Sequence, residues 1–332
     1  MSASGSEAQL MPLRATERPA RRRSRGERAP SSPRTARSIL RRQWVVGALA
    51  VATLVGLVLF FVSARSPTGT ALATLQTGDF HALVFDPTDA RIAFFGHHNG
   101  VLRTEDGGRT WSPLVERTSF DAMNLGISRA DAQRLYLAGH DVFQVSLDGG
   151  RTWQPVAHNL PGTDIHGFAV SPDDSDRLYA LVVGHGSLRS GDGGRTWESL
   201  GSGLPSDMTA LASAGGTPEV LYASSGRSGV LRSADGGANW SRTSTVPGSR
   251  GVLTLAVDPT APQTVYAGTE EGLFKTTDSG RTWALLPVPA RNVMALAVSP
   301  SDPNVLLTIA VENRRGLVFR SEDGGRSWGG RG

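Results

Sequence analysis

The chain has 332 residues, no cysteine, 40 glycines and seven tryptophans, enough for one large domain or two ordinary ones. The missing cysteines exclude a disulfide framework, a thiolate metal site, a cysteine nucleophile and a lipidated cysteine. The single lysine, Lys275, follows Phe274 and not a glycine, so there is no Gly-Lys-Ser/Thr phosphate loop and only one candidate for Schiff-base chemistry.

The net charge of +4 divides unevenly along the chain. Residues 1–43 carry eleven arginines and three glutamates, a net of +8, which leaves −4 for the remainder. This first segment is rich in Arg, Ser, Pro and Ala and has too little apolar surface to offset ordering entropy, so it reads as a disordered cytoplasmic tail. Trp44 to Ala64 follows, twenty-one residues without a charge, the length at which a helix crosses a bilayer core of about 30 Å. Trp44 marks its entry, and Arg41 and Arg42 before it put the N-terminus inside and the rest outside by the positive-inside rule. A cleaved leader is the alternative: Val62-Ser63-Ala64 has the small residues of a cleavage site, and Leu40-Arg41-Arg42-Gln43-Trp44 is a loose twin-arginine pattern. Either way the main domain is expected outside the cytoplasm, anchored in the cytoplasmic membrane through Trp44–Ala64 or secreted after cleavage near Ala64. A nucleic-acid partner is not expected, because the main domain is net acidic and has no basic stripe interleaved with aromatics.

Residues 65–72 read as a linker, and residues 73–332 are organised by a repeat of about 43 residues. Six segments align: Thr104–Trp111, Ser146–Trp153, Ser190–Trp197, Ser233–Trp240, Thr276–Trp283 and Ser321–Trp328. Their shared aspartates, Asp106, Asp148, Asp192, Asp235, Asp278 and Asp323, lie 42, 44, 43, 43 and 45 residues apart. Six of the seven tryptophans close these segments: Trp111, Trp153, Trp197, Trp240, Trp283 and Trp328. Around each one, short apolar runs alternate with turn signals, the pattern of an all-β repeat.

The pattern [ST]-x-D-x-G-x-[ST]-W resembles the Asp-box, or BNR, repeat, and six copies at near-constant spacing cover roughly residues 73–332. The resemblance implies a β-propeller, as in sialidases, xyloglucanase-type enzymes, sortilin and the photosystem II assembly factors. The chain as a whole is similar to bacterial membrane-anchored proteins of the glycosyl-hydrolase-like BNR group. We therefore expect a six-bladed β-propeller of four-stranded blades. The box Asp and Trp residues are structural in this reading, the Asp accepting backbone N–H bonds in a tight turn and the Trp burying its ring. The few residues after Trp328 leave the sixth blade short of a fourth strand, and Leu72–Thr77 aligns with the fourth strands of other blades. It is expected to pair onto blade six and close the ring.

Up-and-down topology then sorts residues by face. The 1–2 and 3–4 turns, including the boxes, share a bottom face; the 2–3 hairpins and the 4–1 connections share a top face. Just before strand one, the register gives Asp79, Asp121, Asp164, Asp207, Gly251 and Asn292; two residues on come His81, Met123, His166, Thr209, Leu253 and Met294. The 2–3 hairpins add His97, His98, His140 and His185. Blades one to three thus carry a His/Asp arc, whereas blades four to six carry Arg250, Arg291 and Asn292. Antiparallel pairing of strands one and two should bring His81 to His97 or His98, and His166 to His185. Converging imidazole and carboxylate groups suit a divalent cation or acid–base work, though an Asp before a strand is also a common turn former.

Enzyme and binding module remain the two classes. Sialidase chemistry is disfavoured: all four tyrosines, Tyr136, Tyr179, Tyr222 and Tyr266, occupy one repeat position in strand two, and the Arg-Ile-Pro signature is missing. A glycoside hydrolase using two top-face carboxylates stays open. The leading expectation is a non-catalytic propeller binding a protein, peptide or glycan on its top face.

Overall fold

The computed structural model describes residues 69–329 apart from 119, 201–203, 206 and 228. The expected tail and the Trp44–Ala64 span lie outside these residues, as do residues 65–68 of the expected linker.

Twenty-four strands form six four-stranded antiparallel sheets, with no helix among the described residues. The sheets are the six expected blades. Blade one comprises Ala82–Phe85, Ala93–His97, Gly100–Thr104 and Ser112–Glu116, paired in that order. Blades two to five repeat the pattern, with inner strands Asn124–Ser128, Ile165–Ser171, Met208–Ser213 and Val252–Val257. In blades two to five the outer strand shrinks to two residues after the box tryptophan, as at Gln154–Pro155.

Blade six is completed from the other end of the sequence. Val293–Val298, Leu306–Glu312 and Arg315–Ser321 are joined at the outer edge by Ala73–Leu75, with Ala73 opposite Val318 and Leu75 opposite Gly316. The Leu72 amide extends this pairing by donating to the Val318 carbonyl at 2.8 Å. The expected closure is therefore present, and Arg315–Ser321 is no longer an open edge.

Packing follows the same circular logic. Each strand two lies between neighbouring blades and is buried on both faces: Ala93–His97, Leu221–Ser225 and Val265–Thr269 are buried throughout. This is why these strands do not alternate cleanly between apolar and polar. The core divides into six clusters, one between each pair of neighbouring blades. The cluster joining blades one and six holds Leu75, Phe85, Phe95, Leu307, Ile309 and Val318, so the ring closes in its core as well as in its backbone.

The six box turns share one hydrogen-bond scheme. In blade three, Ser190 Oγ donates to Asp192 Oδ1 at 2.8 Å and accepts from the buried Gly194 amide at 2.9 Å. Asp192 also accepts the Thr196 amide at 2.9 Å and its hydroxyl at 2.6 Å, and Trp197 Nε1 donates to the Gly194 carbonyl at 2.8 Å. Two boxes depart in detail. Asn239 replaces the usual Thr in blade four and reaches Asp235 Oδ2 through Nδ2 at 2.8 Å. In blade five Ser279 stands where the other turns have glycine, at φ 62°, and Trp283 Nε1 turns to the Ser244 carbonyl instead.

Candidate functional site

The inner strands of all six blades line a central channel, a cavity of about 290 Å³. His81, Met123, His166, Thr209, Leu253 and Met294 all contribute to its wall, as the register predicts. His81 and His166 are therefore the imidazoles that reach the channel, and the opposite side of the same ring is Thr209, Leu253 and Met294.

Backbone contacts between blades bring the polar residues beyond this ring together. In blades one and two the 2–3 hairpin has two residues, His98-Asn99 and His140-Asp141, between the paired residues His97–Gly100 and Gly139–Val142. The first of these residues turns its amide onto the aspartate before strand one of its own blade. His98 N donates to Asp79 Oδ1 at 2.9 Å, and His140 N to Asp121 Oδ2 at 3.3 Å. The hairpin also meets the following blade: the Ala122 amide donates to the His97 carbonyl at 3.1 Å, and Asp141 N to the Thr163 carbonyl at 3.0 Å. His140 forms a β-bridge with Asp164. A Cβ at Gly139 would run into the Asp121 carbonyl, so glycine there lets Asp121 sit against the strand.

The side chains make a continuous chain across three blades. His98 Nδ1 is ion-paired with Asp79 Oδ2, and its Nε2 lies 3.3 Å from His81 Nε2 and 3.5 Å from Asp121 Oδ1. His140 Nδ1 is 2.6 Å from Asp121 Oδ2, and its Nε2 is 3.5 Å from Asp164 Oδ1. His166 Nε2 closes the row at 3.0 Å from the same Asp164 oxygen. A carboxylate only accepts, so Nδ1 of His98 and of His140 carries the proton, and in the neutral ring Nε2 is left as a lone pair. Asp121 is 7% exposed, and its Oδ1 accepts no hydrogen bond; neither does Asp164 Oδ1. Burial lowers the pKa of His81, against the Asp79 carboxylate that raises it.

Not every residue singled out from the sequence joins the row. His97 is buried beside the Phe95 ring at 6.1 Å and accepts the Asn99 amide on Nδ1; burial lowers its pKa as well. His185 does not meet His166. The blade-three hairpin has three residues between Val182 and Gly186, so its first residue is Val183, and the His185 ring sits beside Gly162 instead. His166 pairs with His140, their rings 5.4 Å apart.

Among the described residues, blades four to six gather no comparable cluster. Asp207 repeats the turn geometry, accepting Ser225 Oγ and the Arg227 amide at 2.9 Å each, with no histidine. Arg250 is exposed; Arg291 reaches Glu271 at 3.4 Å while 79% exposed. Asn292, at φ 54°, donates to the Val311 carbonyl at 3.1 Å.

The tyrosines are structural. Tyr136, Tyr179 and Tyr222 are buried, and their hydroxyls donate to the Ser175 carbonyl, Glu219 Oε2 and the Pro262 carbonyl of the next blade. Burial raises the Tyr266 hydroxyl to about 12. Lys275 lies over the Tyr266 ring at 4.9 Å and donates to the Gly324 carbonyl at 3.1 Å, and burial lowers its pKa.

Comparison with known proteins gives the same fold. The family model described as sortilin, neurotensin receptor 3, matches residues 228–330. Among solved structures, a GH74 enzyme from Niastella koreensis superposes with a TM-score of 0.57 at 20% identity, covering 78% of this chain and 46% of its own. A GH74 xyloglucanase from Xanthomonas campestris gives 0.55 at 21%, covering 79% and 46%. YCF48 from Cyanidioschyzon merolae gives 0.50 at 17%, covering 76% and 85%. The likeness is one of fold. This chain spans less than half the length of the two GH74 enzymes. No curated protein matches the sequence.

Proposed function

We propose that this protein is an extracytoplasmic β-propeller, tethered through Trp44–Ala64, that binds a protein, peptide or glycan on its His/Asp face without converting it chemically. The observation that carries this reading is the row from Asp79 to His166. It runs along the channel mouth over three blades, and the buried Asp121 Oδ1 and Asp164 Oδ1 accept no hydrogen bond from the protein. Unsatisfied buried oxygens are costly in a fold, and an incoming donor would relieve them. The sortilin-like match and the propeller fold fit a recognition module, and fold alone does not assign a ligand.

A glycoside hydrolase working through two of Asp79, Asp121 and Asp164 is the competing reading, in line with the GH74 neighbours. Such an enzyme needs one carboxyl kept protonated by apolar surroundings. Here Asp121 and Asp164 each lie within 3.5 Å of two imidazoles, and Asp79 is ion-paired with His98 and 3.6 Å from His81, so none of the three has an apolar setting. Incubating the full chain with xyloglucan and aryl glycosides separates the readings. We expect no turnover; hydrolysis abolished by Asp121→Asn or Asp164→Asn would replace binding with catalysis.

A further inference from the structure

The row has a second property beyond its polarity: its donor atoms are spaced as metal ligands are. We propose that the gap between blades two and three binds a divalent transition-metal ion of the Zn²⁺ class, through two imidazoles and one carboxylate. The donors are His140 Nε2, Asp164 Oδ1 and His166 Nε2. This deepens the binding reading above and rests on the same face being the working surface.

Four observations carry it. The first is distance. Atoms held about 2.0–2.2 Å from a tetrahedral ion are separated by about 3.3–3.6 Å. His140 Nε2 to Asp164 Oδ1 is 3.5 Å. His166 Nε2 to Asp164 Oδ1 is slightly closer, at 3.0 Å. The three donors between blades two and three all lie within 4.8 Å of one another. The second is protonation. Asp121 holds the Nδ1 side of His140 at 2.6 Å, which leaves Nε2 as the free lone pair. Metal-binding histidines are oriented in this way by a carboxylate on the opposite nitrogen.

The third is the orphaned oxygen. Asp164 Oδ1 is a buried atom that accepts no hydrogen bond, and it faces both His140 Nε2 and His166 Nε2. The fourth is chemistry: imidazole nitrogen with one carboxylate oxygen suits Zn²⁺ better than the oxygen-seeking Ca²⁺ or Mg²⁺. Three protein donors leave a position open, so the ion would offer a Lewis-acid contact to an oxygen of whatever ligand the face receives.

The chain supplies a clean background for the test. It has no cysteine and only seven histidines, so a full chain purified without a polyhistidine tag has few competing sites. Zn²⁺ alone is titrated calorimetrically into the detergent-solubilised protein. We expect saturable binding that Asp121→Asn weakens at least about tenfold, because Asp121 holds His140 by Nδ1 and orients its Nε2. His166→Gln should remove the site. His158→Gln, whose ring packs on Phe143 at 5.8 Å away from the row, should change nothing.

Absence of Zn²⁺ binding, or equal affinity in wild type, Asp121→Asn and His166→Gln, would overturn the inference. Should Asp121→Asn fail to fold by circular dichroism, His166→Gln decides, since its ring is partly exposed and, among the described residues, its only ion-pair partner is Asp164. No ligand is present in this titration. A face that binds ligand but no Zn²⁺ would refute the metal site alone. Zn²⁺ binding with ligand retention insensitive to the top face would refute the functional reading alone.

Discussion

At the scale of single residues, the box turns show how much of this fold rests on short polar side chains. Ser190 is 1% exposed, and its hydroxyl is the partner of the buried Gly194 amide. Ser190→Ala should therefore lower stability by about 1–3 kcal/mol, the cost of leaving a buried donor unpaired, as measured by urea unfolding. The box aspartates set an acid limit. Hydrogen bonds from Thr196, first its hydroxyl and then its amide, hold Asp192 down at about 2. A carboxylate depressed in the folded state adds stability above its unfolded value of about 3.9 and loses it as pH falls towards 2. Tryptophan fluorescence should thus stay native at pH 5 and change between about pH 4 and 2. Asp192→Asn should flatten that part of the profile, and an unchanged profile would refute its contribution. Ser279 offers the opposite sign. It occupies a left-handed conformation that glycine takes in the other boxes, at φ 72–75°, so Ser279→Gly should stabilise by about 0.5–1 kcal/mol. The meeting of His81 with His98 was legible because strand pairing is set by turn length. The misplacement of His185 has the same cause, one extra hairpin residue that composition does not reveal. That Asp121 serves two histidines from different blades had no sequence signal beyond its repeat position, because the contact crosses a blade boundary.

At the scale of elements, the repeat spacing made the blades readable and the closing strand followed from counting. Leu72–Thr77 looked like a fourth strand because blade six lacked one, and Ala73–Leu75 pairs there. Outer strands were less legible. The sequence suggests that they begin at tryptophan, yet at blade three the strand begins one residue later, at Glu198–Ser199, since the Trp197 ring turns into the core before the ladder resumes. The closing strand contributes through packing as well as pairing: Leu75 is 6% exposed in the cluster joining blades one and six. Leu75→Ala should cost about 2–4 kcal/mol from lost burial and the cavity left behind. Urea unfolding should show the shift in midpoint; an unchanged midpoint would mean that the ring does not depend on this seam.

At the scale of the whole molecule, the turn hydrogen bonds and the His/Asp row occupy opposite ends of the same strands. Bottom-face turns hold the blades: Asp86, Asp258 and Asp302 each accept the amide of the residue two positions on, at 2.8, 2.8 and 3.0 Å. The top of blades one to three collects imidazoles and carboxylates that this hydrogen bonding does not consume. Fold class was legible because six tryptophans and six aspartates repeat at fixed intervals; function was less so, because the His/Asp row breaks the repeat instead of obeying it. The central claim is that this row is the working surface. It is tested most directly by measuring, on the full chain in detergent, retention of membrane-extract proteins and of an immobilised glycan panel together with the unfolding midpoint. Two variants are compared: His81→Ala/Asp164→Ala/His166→Ala at the top and Asp86→Ala/Asp258→Ala/Asp302→Ala at the bottom. The account predicts that the top-face variant loses ligand retention with a near-native midpoint, and that the bottom-face variant keeps retention with a lowered midpoint. Equal loss of retention from both variants would contradict it.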